Sequence, residues 1–144
     1  MSVLIVDSPA SAGHNVPPDN PEHPGRYAAV REALKTLTGP QWIESRSATR
    51  AELERFHTAD HVERVLVACA SAQAGEWQGL DWDTHVQQSS AAAGLHAAGG
   101  ALEAVDQVMA GPVRSGSGVF PRRGSAITVA MLWPGSLWAL GINW

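Results

Sequence analysis

The chain has 144 residues, a length that suits one ordinary domain built around a single core. Hydrophobic residues make up 44% of it and charged residues 17%, a composition that excludes disorder over the whole length. A formal net charge of −4 argues against broad binding to nucleic acid or to anionic membranes, and the single cysteine, Cys69, excludes an intramolecular disulfide and a multi-cysteine zinc site.

The opening residues, M-S-V-L-I-V-D, lack the basic start and long apolar run of a secretory signal, and no run of about 18 apolar residues follows. We therefore expect a cytoplasmic protein without a membrane or nucleic-acid partner. Residues 3–6 predict a buried strand. Residues 8–25 contain five prolines and two glycines, and they predict a loop without regular structure.

A helix and a second strand are predicted next. Residues 26–37 predict the helix, Gly39-Pro40 ends it, and residues 42–45 predict the strand. The apolar side chains that recur near one face of the helix are Tyr27, Val30, Leu34 and Leu37.

Side-chain caps predict the helices that follow. Thr49 and Glu52 have the spacing of a capping box, and Leu53 and Phe56 supply the apolar side of that brief helix. Thr58 is the predicted N-cap of the next helix. Its predicted apolar stripe consists of Val62, Val65, Leu66 and Cys69.

The last predicted element is a long alanine-rich helix. Residues 71–88 predict a loop, Ser89 caps the helix, and Gly111-Pro112 ends it beyond Met109. Its predicted buried stripe consists of Leu95, Ala98, Leu102, Val105 and Met109, while Ala93, Ala97 and Ala101 permit close packing. The order of strands and helices predicts an α/β domain with a parallel sheet, of which only the opening portion is present.

The composition changes abruptly near residue 112. All 14 acidic residues precede it, whereas the last 33 residues carry three arginines, no acid and three of the six tryptophans. We therefore divide the chain into residues 1–111, the domain portion, and residues 112–144, an aberrant tail outside the domain. The stretch 114–118, R-S-G-S-G, has the composition of a flexible linker, so removing residues 112–144 is expected to change folding little.

Two histidines have the spacing of a helical metal site. His57 and His61 stand four residues apart, which would place both on one helical face. Thr58, however, is predicted to begin a new helix between them, and that break would separate the two side chains. We therefore favour a buried histidine at a helix boundary beside a surface one, and we predict no stoichiometric zinc, because no set of three or four ligands converges.

The stretch 81–85, D-W-D-T-H, places two carboxylates and an imidazole in a loop before the long helix. Such a loop can hold a substrate or a cation, and the alternative is a solvated turn in which Asp83 or Thr84 binds local backbone. Cys69 falls on an apolar stripe, where a buried and inert thiol is expected.

Three stretches together resemble a known family. Residues 20–26, N-P-E-H-P-G-R, resemble the H-P-E-x-P-x-R loop of bacterial histone-deacetylase-like and acetylpolyamine amidohydrolase proteins, with Asn20 in place of the family's histidine. Residues 48–62 are similar to their A-T-x-E-x-L-x-x-V-H-x-x-x-Y-V stretch. Residues 80–106 are similar to their D-x-D-T region and the A-A-G-G helix that follows it.

The resemblance implies an arginase/deacetylase-type three-layer fold with a central parallel sheet, here incomplete. In the family, two aspartates and a histidine hold a zinc ion that polarises an acetamide carbonyl and activates a water, and paired histidines move protons. Those residues follow the matched region, so we assign this chain no catalytic residue, no metal ligand and no bound cofactor. Only Asp83 carries over, because it matches the aspartate on the rim of the family's acyl-lysine channel.

The resemblance leaves three functions open. The first is the N-terminal part of a zinc-dependent deacetylase of acetylated lysine or acetylpolyamine, itself inactive. The second is a non-catalytic binding or regulatory α/β module, and the third is an inert fragment. After the long helix the family has R-P-P-G-H-H and G-F-C-x-F-N-N segments that are missing here, and a frame change in the gene would explain the altered tail. Exposed helix faces are expected to leave the isolated protein molten, self-associated or degraded.

Overall fold

The structure, a computed structural model, describes residues 4–20 and 22–110. The helices and strands run in the order β1 (Leu4–Asp7), a 3-10 helix (Pro9–Gly13), α1 (Gly25–Lys35), β2 (Gln41–Glu44), α2 (Arg50–Leu53), α3 (Ala59–Ser71), β3 (Gln78–Gly79), β4 (His85–Val86) and α4 (Ser90–Ala110). Within these ranges no helix is long and apolar enough to cross a membrane. The predicted tail and the frame change expected in it lie outside the described residues.

A parallel pair of strands lies at the centre of the fold. β1 and β2 pair in parallel, with Ile5 opposite Trp42, and Ile5 is buried. The Ser45 amide donates a 2.7 Å hydrogen bond to the Asp7 carbonyl and so continues the pairing past the end of β2. Parallel neighbours need a crossover connection, and α1 supplies it. The predicted α/β class with a parallel sheet is therefore confirmed.

Two predictions for the first half of the chain are wrong in detail. The segment predicted as an irregular loop contains the 3-10 helix, which proline can begin because its fixed φ suits a first helical position. The predicted apolar face of α1 is only partly buried. Tyr27 is buried, whereas Val30 and Leu37 are 36% and 49% exposed, and Leu37 lies beyond the end of the helix.

The capping predictions for α2 and α3 are confirmed. The Thr49 hydroxyl accepts a hydrogen bond from the Glu52 amide, and the Glu52 carboxylate accepts one from the Thr49 amide at 2.8 Å. Arg46 donates two further bonds to that carboxylate, at 2.7 and 2.9 Å. These bonds lower the pKa of Glu52 to about 2, with Arg46 the largest cause. At the start of α3 the Thr58 hydroxyl accepts from the His61 amide at 3.2 Å.

The segment between α3 and α4 is more regular than predicted. β3 and β4 form a short antiparallel pair in which Gly79 lies opposite His85, and the Leu80 amide donates to the Thr84 carbonyl at 2.9 Å. The residues predicted as one loop therefore form a small hairpin. The apolar stripe of α3 is confirmed at Val62 and Cys69, which are both buried. Phe56, predicted to serve the apolar side of α2, is 68% exposed.

The predicted stripe of large residues is not the buried side of α4, whereas the close packing predicted at Ala93 is confirmed. Small residues form the buried side, with Ala93 and Ala104 both buried, while Val105 and Met109 from the predicted stripe are 58% and 56% exposed. A narrow strip of small residues lets a helix approach its neighbours closely. The larger side chains near the end of the helix are left at the surface.

Two adjacent glycines allow the closest approach of α4 to the rest of the fold. A Cβ atom added at Gly99 would lie 2.1 Å from the Arg46 carbonyl oxygen and 2.6 Å from the Ala48 nitrogen, both backbone atoms. At Gly100 it would lie 3.0 Å from the Ser45 Cβ. The segment that follows β2 therefore runs against the backbone of α4.

Candidate functional site

The carboxyl ends of the parallel strands carry a charged cluster, which is where α/β sheets place their ligands. Asp7 is the last residue of β1, and α1 presents Tyr27 and Arg31 to it from positions four apart. The Tyr27 hydroxyl donates to one carboxylate oxygen at 2.6 Å, and Arg31 Nε donates to the other at 2.9 Å. Burial and the neighbouring carboxylate raise the pKa of Tyr27. This cluster was not predicted from the sequence. The pattern that could have indicated it is an acid at the end of the first strand followed by Tyr27 and Arg31 four residues apart.

A cavity adjoins this cluster between β1, α1 and α4, and Ser45 and His96 help to line it. The Ser45 carbonyl lies 3.0 Å from His96 Nδ1, so Nδ1 is the nitrogen that donates. The cavity has a volume of about 30 Å³, which holds about one water molecule. The cluster therefore fastens α1 to the end of β1, and the bond between Ser45 and His96 fastens α4 to the residue after β2. The cavity is too small for an acetylated substrate.

A second polar set fastens the start of α4. His14 is buried, and its Nδ1 shares a 2.8 Å hydrogen bond with the Ser90 hydroxyl, whose oxygen accepts from the Gln87 amide at 3.0 Å. Burial lowers the pKa of His14. Ser89 occupies the predicted cap position, because its carbonyl accepts the first helical bond, but its hydroxyl donates to the Gly13 carbonyl instead of capping.

The predicted substrate loop forms the tip of the β3–β4 hairpin. The Asp81 carboxylate accepts the amides of Asp83 and Thr84, at 3.2 and 2.8 Å, and these bonds outweigh the opposing effect of burial and lower its pKa. Asp81 is therefore the residue that binds local backbone, where we expected Asp83 or Thr84 to do so. Asp83 is exposed, and its carboxylate accepts a hydrogen bond from the Thr84 hydroxyl at 3.2 Å. Trp82 between the two acids is 90% exposed.

The structure brings His57 and His61 together. Thr58 does begin a new helix, as predicted, yet the two rings stack with their centroids 5.0 Å apart and an angle of 29° between their planes. Both side chains are half-buried and line an apolar pocket between α3 and α4. The prediction that the helix break separates them is wrong, because the chain turns at Thr58 without carrying His57 away from α3.

No larger metal-binding set exists among residues 4–20 and 22–110, where no three histidine, cysteine or acidic side chains converge. The described residues do not fit the zinc centre that the resemblance implies. Cys69 is buried as predicted, and burial raises the pKa of its thiol, which favours an unreactive side chain.

Comparison with known proteins agrees with the resemblance. A family model described as the histone deacetylase domain matches residues 20–125. A search of curated proteins finds no match. Among solved structures, the HD domain of HDA15, a plant protein, is similar at 25% sequence identity and a TM-score of 0.66. The match covers 76% of this chain and 32% of that one, so this chain spans about a third of the length of the structure it matches.

Proposed function

Because the chain belongs to the histone deacetylase family, we propose that it represents the N-terminal part of a zinc-dependent amidohydrolase that removes the acetyl group from acetylated lysine or an acetylated polyamine. The observation that carries this proposal is the family match over residues 20–125. The parallel β1–β2 pair and the similarity to the HDA15 domain support it.

Asp83 is the residue through which this portion contacts substrate in the proposal. Its carboxylate is exposed at the tip of the hairpin, and the bonds from Asp83 and Thr84 to Asp81 hold the turn that presents it. An ionised carboxylate there can accept a hydrogen bond from a substrate amide or attract an ammonium group, and bonds to charged groups are the stronger ones. The role of Asp83 is to bind and orient the substrate, and the chemistry takes place elsewhere.

The described residues supply no catalytic centre in this proposal. They lack a convergent metal-ligand set, so we derive no step that passes through a metal ion here. The second candidate is a non-catalytic binding or regulatory module. The missing ligand set favours it, as do the exposed Trp82 and Phe56 side chains, which a partner could cover.

Activity and metal content test the first proposal. The full chain is incubated with an acetyl-lysine peptide and with an acetylated polyamine, and its zinc content is measured after purification. We expect no turnover and less than one zinc per chain. Zinc-dependent turnover that a chelator abolishes would show that this chain contains the catalytic centre.

Binding tests the role of Asp83 separately. The acetyl-lysine peptide is titrated into the full chain and into D83N, with D19N as the matched control because Asp19 is an exposed loop carboxylate far along the chain from the hairpin. D83N is expected to bind about tenfold more weakly, the loss of one bond to a charged group. If D83N and the unchanged chain bind the peptide equally well, Asp83 does not contact the substrate. A monomer that unfolds cooperatively and binds neither ligand would favour the binding-module alternative.

A further inference from the structure

The histidine pair is the strongest feature that the proposed function leaves unused. His57 follows α2, its amide donating to the Leu53 carbonyl at 3.0 Å, and His61 lies in the first turn of α3. The turn between them is held by the Thr58 cap, so both imidazoles are attached to ordered backbone.

The ring separation matches what two imidazoles on one metal ion require. A nitrogen–metal distance of about 2.1 Å places each ring centroid about 3.2 Å from the ion, so two rings at a tetrahedral angle have centroids about 5.2 Å apart, and at a right angle about 4.5 Å apart. The observed centroid separation of 5.0 Å lies between these values.

The charge state of His57 also suits a metal. Burial, and then the neighbouring His61, lower the pKa of His57. At neutral pH His57 is therefore held in the neutral form, which is the form of imidazole that binds metal ions.

The pair is a property of this chain and not of the family pattern. The pattern A-T-x-E-x-L-x-x-V-H-x-x-x-Y-V has histidine at the position of His57 but tyrosine at the position of His61. Tyrosine has no imidazole ring, so only a chain with histidine at position 61 can offer a metal ion two imidazoles here.

We propose that His57 and His61 together bind one divalent transition-metal ion of the class that prefers imidazole, Ni²⁺, Cu²⁺ or Zn²⁺, with water in the remaining positions. Two protein ligands hold such an ion reversibly, which agrees with the expectation that purified protein carries less than one zinc per chain. The proposal does not depend on deacetylase activity.

The Arg64 side chain lies beside His61 and is expected to weaken metal binding, so replacing it provides a control. Its guanidinium lies 3.4 Å from His61 Nδ1, and the side chain is exposed. A metal bound at Nε2 requires the ring proton to sit on Nδ1, so the Arg64 guanidinium must turn toward solvent. Its positive charge also repels the ion. Removing this charge is therefore expected to strengthen binding.

The test is calorimetric titration of Ni²⁺ into the full chain at neutral pH, repeated with H61Y, R64Q and H23Q. H61Y introduces the residue of the family pattern, so the fold is expected to tolerate it, and circular dichroism checks this. H23Q removes an exposed histidine outside the pair. We expect one Ni²⁺ per chain, competition by Zn²⁺, affinity about tenfold or more lower in H61Y, and affinity unchanged in H23Q.

Two further results separate the proposal from adventitious binding. R64Q is expected to bind Ni²⁺ more tightly, a gain that misfolding cannot produce. Lowering the pH below the range of free histidine is expected to weaken binding, because protons compete for both rings. Equal affinity in H61Y and the unchanged chain, or a loss in H23Q as large as in H61Y, would overturn the proposal.

Discussion

Replacing Val105 and Met109 of α4 together by glutamine will weaken self-association of the isolated protein. The two side chains are 58% and 56% exposed in the structure. Complete burial of a side chain of this kind is worth roughly 1.5–3 kcal/mol, so covering the exposed half of each contributes about 1 kcal/mol. The pair therefore contributes about 2 kcal/mol on each chain. A dimer that buries the pair of both chains loses about 4 kcal/mol, so its dissociation constant rises about 1,000-fold.

Sedimentation velocity over a concentration series measures this change, and binding of a hydrophobic dye reports the exposed surface directly. The matched control replaces Val30 and Leu37 by glutamine, because these side chains are 36% and 49% exposed on and after α1. We expect the control to associate like the unchanged chain, because self-association is predicted through α4 and these two side chains lie on and after α1. An unchanged chain that stays monomeric with a sharp thermal transition would refute the reasoning, as would a Val105 and Met109 variant that associates as before.

Two further predictions follow from the packing and a third from the composition of the tail. Gly99→Ala gains about 1 kcal/mol of helix propensity, but its Cβ atom is forced against backbone at a cost of roughly 3 kcal/mol. It should therefore lower the midpoint of urea unfolding far more than Gly100→Ala, where the neighbouring atoms belong to side chains. Burial lowers the pKa of His14 in the folded chain from its usual 6.5. As the pH falls, the unfolded chain therefore binds a proton at a higher pH than the folded chain does. The contribution of His14 to stability is complete above pH 6.5 and decreases as the pH drops below it. His14→Gln should flatten that dependence in urea unfolding measured at several pH values. Removing residues 112–144 should leave the circular dichroism signal of the remaining chain unchanged, and its loss would place the tail in the core.

Local signals in the sequence were sufficient for most elements of the fold. The Thr49 cap is predicted from Glu52 three residues later and the Thr58 cap from its place before an apolar stripe, and both are present in the structure. The buried side of α4 was not predictable in this way. Helical periodicity finds the large apolar residues, whereas the side that packs is decided by what approaches the helix, and the glycine pair admits backbone on the side of the small residues.

The candidate site shows the same limit. The sequence placed both acids in a loop, but the choice of Asp81 over Asp83 as the backbone-binding acid depends on the turn's geometry. Likewise, the helix start at Thr58 was predicted, while the angle at which one helix follows another, which stacks His57 on His61, has no signature in residue spacing. Contacts between residues distant in sequence, such as His14 with Ser90, leave no local pattern at all.

The contact at Gly99 has a consequence for how this protein can change over generations. The Ala48 amide donates a 2.9 Å hydrogen bond to the Leu95 carbonyl, so two backbones lie together with no side chain between them. Every single-base missense change of a glycine codon adds at least a Cβ atom, and at position 99 that atom falls 2.1 Å from the Arg46 carbonyl oxygen. No conservative replacement is therefore open to this codon. Any related protein in which α4 packs against the segment after β2 in this way must keep glycine at position 99, even if its catalytic residues change.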